Sequence, residues 1–132
     1  LARGRVVYGG VGSTVSNNSS GQTISTSELI DGLYFAQGRG GSQSDTTATA
    51  AQIVMAVPDK AQGDVFMFRY YNVSSNDVTL AGGTNVVMPN LATGSYSIAA
   101  GKGRVFALSI TEVTPTPHVQ ILPISDAFNH SS

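Results

Sequence analysis

The chain has no cysteine and no tryptophan, and only 11% of its residues are charged. Without cysteine there is neither a disulfide scaffold nor a thiolate metal site, which suits a reducing compartment or a particle assembled in one. The low charge, against about 25% in an ordinary soluble domain, leaves the surface to Ser, Thr, Asn, Gln and Gly. Such a surface is easily packed against other protein, so a component of an assembly is expected. Seven Lys/Arg against eight Asp/Glu give a net charge of −1, and no basic field exists to neutralise a row of phosphates. A nucleic-acid partner is not expected. No apolar run approaches the ~20 residues that span a bilayer, and no signal-peptide pattern is present, so no membrane partner is expected either. Leu1 stands where a start methionine would, as in a processed or trimmed chain.

What remains is a chain of 132 residues, 41% of them hydrophobic, the size of one domain. Arg5 to Tyr8 reads as a short strand, and Gly9 to Ser27 contains almost no large apolar side chain. A stretch of that composition buries too little surface to fold alone, so residues 1–27 are expected to form an extended N-terminal arm. Residues 28–125 are expected to form one β-rich module and residues 126–132 a polar C-terminal tail.

Within the module, Ser25 and Glu28 have capping-box spacing, and a single helical turn is expected before Gly32. Leu33 to Phe35 reads as a strand and Gly38 to Ser42 as a flexible loop; its glycines lack the dinucleotide-binding spacing. Ala50, Ile53, Val54 and Val57 recur on one helical face, predicting a helix over Thr46 to Val57 with Thr49 and Gln52 as a capping box and Pro58 as its stop.

From Asp64 the period becomes two. Phe66, Phe68 and Tyr70 alternate with Val65, Met67, Arg69 and Tyr71, a strand bulky on both faces and expected to be covered on both, the second time by another subunit. Further strands are predicted at Val78 to Ala81, Asn85 to Met88, Tyr96 to Ala99, Arg104 to Thr111 and His118 to Ile124, with Phe106, Leu108 and Ile110 sharing a face. Short strands, Gly/Pro/Asn turns and one helix predict an all-β fold, a β-sandwich of jelly-roll kind, with no long internal repeat.

Little in the sequence carries chemistry. His118 and His130 lie outside any nucleophile motif, and a strand-edge or surface place is expected for both. Glycoside cleavage needs two carboxylates facing across a cleft. Glu28 and Asp31 are the only close acids, on a capping turn, while Asp45 suits a helix start. No spacing resembles a calcium loop or a zinc site, and no cofactor is expected. Asn17, Asn18, Asn72 and Asn129 begin chance Asn-X-Ser sequons. Lys102 and Arg104 flank Gly103 at an expected tight turn. An enzyme is not expected.

Certain segments carry a resemblance: Thr26 to Gly32; Thr47 to Val54 ending in Ala56-Val57-Pro58; Gln62-Gly63-Asp64 before the aromatic strand; Asn72; and Val78-Thr79-Leu80-Ala81-Gly82-Gly83. In that order they resemble a small β-rich module that recurs in structural proteins of large DNA viruses and tailed phages, over about three-quarters of the chain. The resemblance implies a homotrimeric sandwich displayed on a virus particle. As a capsid decoration or cement protein, it would bind major capsid protein through arm residues Arg3, Arg5, Val6, Val7 and Tyr8, and self-associate through Val65, Met67, Arg69 and Tyr71. As the head of a fibre or spike, it would instead offer Tyr34, Phe35, Tyr71 and Tyr96 as platforms for a host glycan.

Overall fold

A computed structural model describes residues 13–91, 94–124 and 128–129. The fold is mostly β, in two sheets with two short helices. The first sheet holds β1 (Ser13–Asn17), β3 (Leu33–Gln37), β5 (Val65–Asn72), β9 (Lys102–Glu112), β10 (His118–Pro123) and β7 (Val86–Val87) in that order, with β11 (Phe128–Asn129) also on β9. The second runs β2 (Thr23–Ile24), β4 (Gln43–Thr47), β6 (Val78–Ala81) and β8 (Ser97–Ile98). Helix α1 covers Thr26–Leu29 and α2 covers Ala50–Ala56.

The strand order departs from an antiparallel jelly roll. β1, β3 and β5 are parallel, and so are β2, β4 and β6, because the chain alternates between the sheets and rises one strand per circuit. Three stacked coils result. Ser13 lies opposite Leu33 but Leu33 opposite Arg69, circuits of 20 and 36 residues, the second lengthened by α2. Unequal circuits hide the stacking from any search for a fixed sequence period. At one end the stack is closed by antiparallel strands, β9 against β5 and β8 against β6.

The expected arm is therefore corrected from Ser13 onward. β1 is a full partner of β3, and Ile24 on β2 is completely buried in the core. A weakly apolar strand needs no core of its own when neighbours supply one: each of its ladder bonds is made to a strand already held. Gly21 lets the first coil approach the second, since a Cβ there would stand 1.9 Å from the Ser44 carbonyl oxygen. Residues 1–12 lie outside the described residues. The expected polar tail is corrected too, since Phe128–Asn129 pair with Gly103 and Lys102.

Helix α2 starts later than its periodicity suggests. Thr46 and Thr47 are drawn into β4, where Thr46 pairs with Ala81 on one side and Thr23 on the other. The capping box at Thr49 forms: its hydroxyl accepts the Gln52 amide at 3.2 Å and the Gln52 side chain accepts the Thr49 amide at 3.0 Å. Ala50, Ile53 and Val54 are buried, three residues at helical spacing on one face. At Ser25 the box is incomplete, since its hydroxyl bonds the Glu28 carboxylate and no backbone amide.

The core is one cluster drawing on both sheets. Phe66, Phe68 and Tyr70 of β5, Phe106, Leu108 and Ile110 of β9, and Val119 and Ile121 of β10 are all fully buried, as their alternation predicts. Ile24, Val78, Leu80 and Ile98 come from the second sheet.

Candidate interaction surface

With Phe66, Phe68 and Tyr70 turned inward, the period of two forces Val65, Met67, Arg69 and Tyr71 onto the opposite face of β5. They share that face as the sequence predicts, but within one chain it is open: Val65 is 51% exposed and Met67 43%. The register extends the face across the sheet. Tyr71 stands beside Phe35 on β3, and Phe35 beside Val15 on β1, itself 57% exposed. Arg69 lies between Leu33 and Val105, and Met67 next to Ala107, which faces Leu122. Phe35 and Tyr71 stack with ring centroids 5.1 Å apart and planes 20° from parallel. Among the described residues the result is a sheet face on which apolar side chains flank one cation, Arg69.

The other sequence-predicted residues fall elsewhere. Arg3, Arg5, Val6, Val7 and Tyr8 lie outside the described residues. Tyr34 is buried, and Tyr96 packs on Phe106 while its hydroxyl donates to the Pro89 carbonyl at 2.7 Å. Burial raises the pKa of both phenols above the ordinary tyrosine value. Only Phe35 and Tyr71 of the four proposed platforms therefore stand on the open face.

Glu28 is buried and held by the Ser25 and Ser27 hydroxyls. Asp31, at φ 61°, accepts the Met67 amide at 2.9 Å. Each carboxylate thus serves local structure. His118 lies at the start of β10, its Nδ1 2.8 Å from Glu112. Lys102 and Arg104 belong to β9 rather than to a turn, and Arg104 donates to the Ser95 carbonyl at 2.7 Å. Asn72 is fully buried, so its sequon is closed to modification in the folded chain.

One constellation was not legible. Arg39, in the stretch expected to be a flexible loop, is buried and forks onto Asp45 at 3.1 Å. It also donates to the carbonyls of Ser16, Asn18 and Gln37 and to the Tyr34 hydroxyl. Asp45 lies on β4, not at a helix start, and accepts from the Tyr70 hydroxyl and the Gln22 amide. Burial above all, then the Asp45 charge, drives the Tyr70 pKa far up. With its donors and acceptors engaged this cluster ties the first coil to the second, and it offers no open position to a substrate.

Among the described residues no three His, Cys, Asp or Glu side chains group as a metal site, and no helix is long and apolar enough to cross a membrane. An open hollow between α1 and α2 is lined by Ser25, Thr26, Ala48, Gln52, Met55 and Ala56, none of them ionisable. No family model, curated protein or solved structure matches the chain.

Proposed function

We propose that this chain is a non-enzymatic structural module of a virus particle, a capsid decoration protein whose two sheets pack as a sandwich and whose open sheet face joins it into a homotrimer on the particle surface. The observation that carries the reading is the strip of Val65, Met67, Phe35 and Tyr71 on one sheet face. Exposed apolar surface gains free energy when another protein covers it, at about 25 cal/mol for each Å² removed from water. With only 11% of its residues charged, the chain has few ions to desolvate when it packs against another protein. Binding through three copies at once would raise a weak contact to a useful one by multivalency.

The test is the mass of the purified chain by light scattering, followed by co-sedimentation with undecorated particles. A trimer, alone or joined edge to edge with a second trimer, that sediments with the particles is expected. A chain that stays in the supernatant whatever its mass would end the decoration reading.

The stacked Phe35–Tyr71 pair favours one other reading, a fibre or spike head that binds a host glycan on the same face. Retention on a glycan array, abolished by Tyr71→Ala, would select it over the first.

A further inference from the structure

The coil stack has two unlike ends. Antiparallel β8 and β9 close one of them. At the other, β1 and β2 are both edge strands, and among the described residues nothing pairs with their outer sides. A sheet edge presents a row of backbone donors and acceptors, and proteins ordinarily guard it with a lysine, a proline or a bulge. β1 has none of these. Its sequence is Ser-Thr-Val-Ser-Asn, and all five residues pair with β3 without a register shift.

We infer that the β1 edge pairs with β1 of a second copy of this chain about a two-fold axis, through the backbone edge of the strand rather than through the sheet face proposed above, whose margin Val15 forms. A strand paired with itself about a two-fold must run antiparallel, and the two contributions are identical. The middle residue of this strand is Val15, so the axis places Val15 opposite its counterpart and Ser13 opposite Asn17. Three features favour a second copy as the occupant. The edge carries no charge, so self-pairing sets no like charges opposite each other. Val15 is more than half exposed and has Phe35 beside it on only one side; its counterpart would cover the other. An axis perpendicular to the sheet also keeps both outer faces on the same side, so the Val15, Phe35 and Tyr71 row continues from one copy into the next.

The experiment is light scattering on the full chain and on Val15→Lys, Val15→Glu and Met67→Lys variants, each checked for an unchanged circular-dichroism spectrum. Wild type is expected at an even number of chains. Val15→Lys and Val15→Glu alone are each expected at half that mass, and an equimolar mixture of the two should return to the full mass, because lysine then faces glutamate. Met67→Lys addresses only the sheet face. If the trimer reading holds, wild type is six chains, Val15→Lys three and Met67→Lys two; if it fails while the edge pairs, wild type is two chains and Met67→Lys leaves it so. A Val15→Lys mass equal to wild type overturns the edge pairing, as does wild type at an odd number of chains, whether a monomer or a lone trimer. A chain starting at Ser13 should keep the wild-type number of chains; if it gains copies, residues 1–12 had held the edge and the inference is wrong. Independently of any variant, amide exchange at residues 13–17 should slow as protein concentration rises, and exchange that ignores concentration counts against the pairing.

Discussion

The Arg39 guanidinium grips the Asp45 carboxylate at 3.1 Å with neither side chain exposed, and the same guanidinium reaches back to the carbonyls of Ser16 and Asn18 in the preceding coil. A buried ion pair is a weak source of net stability, because desolvation offsets most of the attraction, but removing one partner strands the other. Arg39→Met is therefore expected to destabilise by about 3–5 kcal/mol. Replacing both, Arg39→Met with Asp45→Leu, should recover part of that loss. Urea unfolding of the two singles and the double measures the coupling, and losses that simply add would show that the pair does not act as a unit.

Tyr70 donates to the buried Asp45, and its pKa is raised chiefly by burial and next by the Asp45 charge. Its neutral form is thus favoured by the fold. The stabilisation is fully present below the ordinary tyrosine value of about 10 and is lost as pH rises above it. Stability should stay flat with respect to this group up to pH 9.5 or so, then fall by about 1.4 kcal/mol per pH unit for each such tyrosine. Tyr70→Phe should lower stability at pH 7 by about 1–3 kcal/mol, since Asp45 loses a donor. It should also flatten the alkaline fall; an unchanged fall would place the titration elsewhere.

The Thr49 cap is local and testable alone. Thr49→Ala removes the acceptor for the Gln52 amide and should lower stability by about 1 kcal/mol. Ser25 offers a contrast: its hydroxyl caps no backbone amide but donates to the buried Glu28 carboxylate, so Ser25→Ala acts through that lost donor and should lower stability by at least as much as Thr49→Ala. Thermal melts of both variants make the comparison.

Strand positions were readable wherever burial is one-sided. The alternation of β5 and β9 named Phe66, Phe68, Phe106 and Leu108 as core, and all are fully buried. The four outward residues of β5 were readable from the same pattern, although the bulk of that second face suggested cover that the single chain does not provide. Parallel stacking was not readable, because coils of unequal length have no common period. The Arg39 cluster escaped for a different reason. Glycines on either side of Arg39 signal a turn, and nothing local tells that Asp45, Tyr34 and Tyr70 converge there from β4, β3 and β5. Asp45 itself suits a helix start as well as an ion pair, so an arginine set among glycines six residues before it gives no unambiguous signal.

Truncation tests how much of the chain the first coil needs. A chain starting at Ser13 keeps β1, β2 and every acceptor of Arg39 named above, and it should melt within a few degrees of the full chain. A chain starting at Ser25 loses β1, β2 and the fully buried Ile24, and it also exposes Arg39 and Asp45 on the new edge. Loss of Ile24 alone removes a side chain whose truncation to alanine would lower stability by about 2–5 kcal/mol. With the ladder of β1 and the Ser16 and Asn18 carbonyls gone as well, the total loss is comparable with the whole stability of a domain this size. The shorter chain should therefore give no cooperative unfolding transition by circular dichroism. A cooperative melt from it would mean that the first coil is an accessory to a core that folds without it.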